Sequence, residues 1–511
     1  MIGTVRTAMG RWQPGRWLRR DKLFWLTTVI LIGLLMGQQI VAPSKRVLEA
    51  FAGLVLVAFV LRLDLYWSLC AFLIALPFPT RMKIGSTNIV FIAILLSVWL
   101  MRLALRQVRP VGKTFLDTPI IVLLLVYVAS FWNIRNSEFL WPALTSFYGV
   151  LGSIVLFYLV VNFVRDDTSL ERTMIVTQVS AALVIGVSLM GLLFPGITIV
   201  PNWIQTGSSQ EIDISGIRLG GPFGASELLA EYCALNLPIQ FLLLVRSRSL
   251  SRRSMWAALI LLTFVIQIAT VTRGAFIALW IGMAYLLFLM RKQLGFRHIA
   301  ISVITAIFLF VALATFITAR TKAGSILDRL TQTTFVGYMP ETRAHAWSDA
   351  WEMCKEHPVI GHGPFYPLRT AAGAQVLWPH SIFLYYIYIT GWIGLAVFLF
   401  IVYKMFRRSL SAASRRLSDP HFSKSALLVL HVVLVIFMID QVKLEYLRHH
   451  SYQFFIWSLF GLLVAATRVA ASGGAPVEPK PVEHGRHRSF EGWRGTHPRP
   501  EGRAVQGPLR P

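Results

Sequence analysis

Charge is what this chain has least of. Asp, Glu, Lys and Arg make up 14% of its 511 residues, where a soluble domain carries about a quarter. The shortage excludes an ordinary soluble fold. It does not indicate disorder, because 55% of the residues are hydrophobic and 13% aromatic. Cysteine is scarce too. Cys70 and Cys233 lie in apolar runs and Cys354 in a polar stretch. No pair is suggested, and neither Cys nor His shows metal-ligand spacing. Short alternating segments of the kind that build a membrane β-barrel are missing, and no internal repeat is visible.

What is present is a series of apolar runs near bilayer-spanning length, with a mean hydropathy of +0.61. They fall at about 23–41, 47–63, 66–79, 87–105, 118–133, 142–164, 172–194, 226–245, 254–270, 273–290, 298–317, 381–403, 425–442 and 451–467. The expected fold is an all-α polytopic membrane protein with about 12–14 transmembrane helices, the third and fifth runs being short for a full span. A transmembrane domain over 23–467 follows a basic lead, 1–22, with Arg6, Arg11, Arg16, Arg19, Arg20 and Lys22. The run Leu23 to Val41 reads as a retained span, since no small-residue cleavage site follows it. Residues 468–511 are rich in Pro, Gly, Arg and Glu and read as a disordered basic tail.

The formal charge of +25 does not imply a nucleic-acid partner. The basic residues sit mainly in short loops between runs, as in Arg246, Arg248, Arg252 and Arg253, in Arg291, Lys292 and Arg297, and in Arg407, Arg408, Arg415 and Arg416. By the positive-inside rule these loops are cytoplasmic. Both termini then lie in the cytoplasm, and the two longest loops, 195–225 and 318–380, lie on the outer face. Loops held by a rigid scaffold commonly carry function. Within the second, Pro340 to Glu356 reads as a helix with Pro358 just past its end. Arg343, Trp347, Ala350, Trp351 and Cys354 form one stripe, which suits a helix lying flat at the interface. The segment 359–365, VIGHGPF, reads as a turn.

The outer-face loops bring three residues forward. Arg273 opens the tenth run. An arginine there needs water, a partner or an anion, and its fork of donors suits phosphate. It reads equally as a snorkelling anchor or as the partner of Glu227, Glu231 or Asp440. Arg218 sits among glycines 216, 220, 221 and 224, which allow close approach to a ligand. It reads also as a solvated arginine on a mobile loop. His380 sits between Pro379 and the start of a span, where a general base or a plain interfacial histidine would both fit. Glu227 and Arg343 are supporting candidates; Glu227 and Glu231 lie one turn apart, though Glu227 also suits a helix start. His345, His357 and His362 are weaker candidates, and His449 and His450 read as surface residues.

Together the stretches GIRLGGPFGASELLAEYCAL (216–235), VTRGAFIALWIG (271–282), RAHAWSDAWEMCKEHPVIGHGPF (343–365) and PHSIFLYYIYITGWIGLAVF (379–398) resemble the O-antigen ligase and O-antigen polymerase superfamily. The resemblance covers about 200–405. It implies a GT-C-like integral-membrane glycosyltransferase of the bacterial inner membrane. Such an enzyme passes a glycan from undecaprenyl diphosphate to an acceptor hydroxyl at the outer face, by a metal-independent inverting transfer and without a cofactor. The acceptor is lipid A core in a ligase and another repeat unit of the growing glycan in a polymerase, while some relatives glycosylate proteins. By motif, Arg218 and Arg273 match the arginines that hold the diphosphate, and His380 matches the histidine that activates the acceptor. The chain departs from the common ligases in having two more apolar runs and a basic tail, which bears on the acceptor more than on the chemistry. The contrasting reading is a transporter or flippase for a lipid-linked sugar or other anion, whose intramembrane charges would look similar. The paired halves with matching broken helices expected of a transporter are not visible. A third reading, an assembly protein without catalysis, would not need the arginine and histidine constellation.

Overall fold

In the computed structural model, the described residues are 64–473 apart from 80, 83–84, 109–111, 195–209, 214–215, 293–295, 321–334, 337–338, 366–367, 370–375, 378 and 414–415. The basic lead, the first two apolar runs, the tail from 474 and much of the two long loops fall outside them. The described chain is an all-α polytopic membrane protein. Nine of its helices are long and apolar enough to cross a membrane among the described residues.

The helices follow the apolar runs closely. They are α1 (Leu65–Ala75), α2 (Thr87–Ala104), α3 (Asp117–Ser130), α4 (Ser137–Phe163), α5 (Asp167–Leu193), α6 (Ser226–Arg246), α7 (Leu250–Ala269), α8 (Arg273–Met290), α9 (Phe296–Arg320), α10 (Glu341–Glu356), α11 (Ile382–Ala412), α12 (Phe422–Asp440) and α13 (His450–Ala471). Short polar side chains fix several starts. Asp64 accepts from the Tyr66 N–H at 2.8 Å, and Asn136 from the Glu138 N–H at 3.0 Å. Asp166 and Ser169 form a reciprocal capping box at α5, each satisfying a donor that the first turn leaves open. As expected, the third and fifth runs make short helices, of 11 and 14 residues.

Burial sorts the spans. In their apolar windows α6 is 83% buried and α12 and α13 are 78% buried, against 28% for α2 and 33% for α7. The first three form the middle of the bundle, and α2 and α7 turn mostly outward toward lipid. Buried position explains why α6 carries Glu231, Asn236 and Gln240, all at 0% exposure. In a membrane such side chains belong inside the bundle.

Strand structure among the described residues is limited to four two-stranded antiparallel pairs. The longest is a hairpin joining Gln210–Asp213 to Gly216–Leu219, with Glu211 opposite Arg218. Loop 195–225 is therefore more ordered around Arg218 than its glycines suggest. Pro340 ends a two-residue strand and α10 begins one residue later.

α10 does not project freely. Ala346, Ala350 and Cys354 are buried, the Cys354 thiol points at the Leu384 carbonyl of α11 at 3.8 Å, and Trp351 meets Trp392 edge-on at 6.2 Å. The apolar stripe thus packs on α11, leaving Trp351 43% exposed.

Candidate functional site

Arg218 is the best-enclosed of the candidates, with 7% exposure. A solvated arginine on a mobile loop is ruled out. Its Nε donates to the Thr270 carbonyl at 3.3 Å. Its Nη2 donates to the Thr272 hydroxyl at 3.1 Å and meets Glu227 Oε1 at 3.4 Å. All three partners lie at ends of transmembrane helices: the α7–α8 turn supplies the threonines, and the first turn of α6 supplies Glu227. Between the threonines stands Val271, at φ +53°. A β-branched residue in that region is strained, so the turn preceding Arg273 is held by its surroundings.

Arg273 is the first residue of α8. Arg218 and Arg343 are its like-charged neighbours. The acids named as its possible partners make contacts of their own. Glu227 lies on Arg218, and Asp440 forms an ion pair with Lys443 at 2.9 Å. Glu231 accepts Tyr452 O–H at 2.7 Å and Gln441 Nε2 at 2.8 and 3.1 Å. Arg343, on α10, is drawn below its ordinary pKa chiefly by burial, while Glu227, Asp440 and Glu445 favour its charge and Arg218 opposes it. Three arginines and their acids thus share one end of the bundle, although they come from segments far apart in the chain.

His380 reaches the same end through its backbone. Two residues later, the Ile382 N–H donates to the Gln441 carbonyl at 3.0 Å. Gln441 is the residue that also holds Glu231. His380 itself has φ +46°. Only three non-glycine residues among those described have positive φ, Arg106, Val271 and His380, and two of them flank this site. Strained backbone of this kind costs on the order of 1–3 kcal/mol and concentrates where function fixes a conformation. The structure therefore brings Arg218, Arg273, Arg343 and Glu227 into electrostatic contact and sets His380 on the helix end beside them.

The weaker histidines separate by role. His362 is structural. Its Nε2–H donates to the Met353 carbonyl at 2.8 Å, its ring lies 4.9 Å from that of Tyr388, and burial lowers its pKa. Its segment clamps a break in α11. Gly391 has φ +70° inside that helix, which frees carbonyls of the preceding turn. The His362 and Gly363 N–H groups fill them, donating to Tyr388 at 2.8 Å and Ile389 at 3.1 Å. Gly361 and Pro364 are in turn tied by Asn133 and Ser146. The side chain of His345 is not described. His449 and His450 differ from the surface residues expected. Both are partly buried; His449 meets Phe223 edge-on at 6.0 Å, and His450 packs over Gly149. The α13 start is drawn in because Phe223, in the turn that follows the Arg218 strand, also packs on Tyr452.

Four groups at this end escaped the sequence reading: Lys443, Glu445, Gln441 and Tyr452. Lys443 and Glu445 follow the apolar run 425–442, where the cost of burying charge is itself a signal. Gln441 and Tyr452 carried none, since neutral polar residues at helix ends are common.

Residues 241–399 match the family model described as O-antigen ligase. The match takes in Arg273, Arg343 and His380, while Arg218 and Glu227 precede it. No curated protein matches the chain. A multi-span helical scaffold, a charged cluster at one end and this matched segment agree, and over residues 241–399 the chain is similar to the O-antigen ligase family.

Proposed function

We propose that the protein transfers a glycan from undecaprenyl diphosphate to an acceptor hydroxyl at the outer face of the bacterial inner membrane. The observation that carries this reading is the gathering of Arg218, Arg273 and Arg343 at the end of the bundle where His380 leads into α11. Such a cluster suits a diphosphate, whose charge grows as the bond to the sugar breaks. Guanidinium forks already in place stabilise that charge without reorganising.

In this mechanism the acceptor oxygen attacks the anomeric carbon from the face opposite the diphosphate. The C–O bond to the phosphate breaks and its electron pair passes to the departing diphosphate. The acceptor proton passes to His380, and the configuration at the anomeric carbon inverts. Arginines supply the positive charge that a metal supplies in other phosphate chemistry. The polyprenyl tail lies against the apolar helices, and the donor diffuses in the membrane plane.

Reconstitution tests the reading. The purified protein is mixed in EDTA with undecaprenyl-diphosphate-linked repeat units, with and without lipid A core. Longer glycans without core mark a polymerase, and single transfer dependent on core marks a ligase. Movement of the donor across a vesicle bilayer without any product would overturn transfer in favour of transport.

A further inference from the structure

Lys443 stands beside the proposed diphosphate site, and its placement is unusual. Its Nζ meets Asp440 at 2.9 Å, with the lysine side chain 18% exposed and the aspartate 1% exposed. The end of the lysine lies over Gly274, the residue after Arg273. A β-carbon at 274 would collide with Cδ, Cε and Nζ of Lys443. The end of the side chain therefore sits on the first turn of α8, over the residue that follows Arg273. Helix N-termini carry partial positive charge and repel cations. The partial charge of that turn opposes the lysine, and the Asp440 carboxylate offsets it. An ammonium has three donors, and its ion pair among the described residues is with Asp440.

We propose that Lys443 is a binding residue for the donor diphosphate, with Asp440 holding it over Gly274 so that its remaining donors face the anion. The inference rests on the transfer reading given above. It assigns a cation from the α12–α13 turn to a site otherwise made from the Arg218 hairpin, α8 and α10. Gly274 then has a steric role: only a residue without a β-carbon leaves the lysine its place.

The test uses the full-length protein in detergent, with inorganic pyrophosphate as the binding probe and donor KM as the kinetic one. Lys443→Gln should weaken pyrophosphate binding and raise donor KM about tenfold each, the size of one charge-assisted hydrogen bond, with acceptor KM unchanged. Lys443→Arg should recover most of the loss. Gly274→Ala, which displaces the lysine without removing it, should match Lys443→Gln. Wild-type pyrophosphate affinity and donor KM in both Lys443→Gln and Gly274→Ala would overturn the proposal while leaving the transfer reading intact. Absence of transfer by the wild type would instead remove that reading. If Lys443→Gln does not accumulate, Gly274→Ala and Lys443→Arg decide. A purely structural lysine predicts lower melting temperature with unchanged pyrophosphate affinity in the folded fraction.

Discussion

At the scale of single residues, the arginines are not interchangeable with other cations. Arg218 uses both Nε and Nη2, on Thr270, Thr272 and Glu227. Lysine has no fork and can replace only one of these contacts. Arg218→Lys and Arg273→Lys should therefore lose most activity, and the alanine variants about 10²–10³-fold, as when one donor to a developing anion is removed. His380→Ala should lower turnover about 10²–10⁴-fold while the protein stays in the membrane at normal level. Wild-type turnover in His380→Ala would remove the base assignment; loss of the variants from the membrane would make these residues structural. Glu231 separates stability from chemistry. Glu231→Ala leaves Tyr452 and Gln441 donors without their acceptor, at about 1–3 kcal/mol for each unpaired group. Glu231→Gln keeps an oxygen for them and should melt closer to the wild type. Equal melting temperatures for the two would show that the carboxylate is not what holds α6, α12 and α13 together.

At the scale of elements, the helices were legible because apolar length and capping residues are local signals. Runs such as 273–290 and 226–245 reappear almost unchanged as α8 and α6. The hairpin around Arg218 was not legible, since Gly216 and Gly220 suit a loose loop as well as a tight pair. Contacts between distant segments were also hidden. Nothing local to Gly274 announces that Lys443 lies above it. The clamp on α11 was half-visible: the glycines of VIGHGPF pointed to tight turns, but their partner, the break at Gly391, depends on tertiary packing. Gly391→Ala would require a β-carbon at φ +70° and against the Val359 carbonyl. Such strain costs about 1–3 kcal/mol, and the variant should unfold at lower temperature and expose 357–365 to protease. His362 makes the clamp sensitive to acid. Burial sets its folded pKa below the ordinary 6.5, so both states are neutral above that value and no stability depends on it there. Below it the unfolded chain takes up the proton first, and stability falls as pH drops. The protection factor of the Gly363 amide, its exchange rate corrected for the intrinsic pH dependence, should fall as pH drops below 6.5, and His362→Gln should flatten that dependence; an unchanged profile would count against this role for the imidazole.

For the molecule as a whole, charge placement predicts sidedness. The three arginines and His380 share one end of the bundle. The opposite end holds basic residues that pack on rings or carbonyls, such as Arg246 near Phe422 at 5.7 Å and Arg408 near Phe115 at 5.9 Å. The positive-inside rule assigns that second end to the cytoplasm. Leu250 and Val359 are 82% and 59% exposed, and the native cysteines 70, 233 and 354 are buried. An impermeant thiol reagent should label Val359→Cys in cells whose outer barrier alone is opened, and Leu250→Cys only after the inner membrane is broken. The reverse pattern would invert the topology and with it the side on which the acceptor is met.

The interruption of α11 at Gly391 has a consequence for biogenesis. A helix entering lipid with open carbonyls would be penalised until they find donors. Here the donors, His362 and Gly363, and their anchors, Asn133 and Ser146, all lie earlier in the chain than α11. Synthesis from the N-terminus therefore makes the seat before the helix that needs it, and the broken span can be completed on insertion without waiting for α12 or α13.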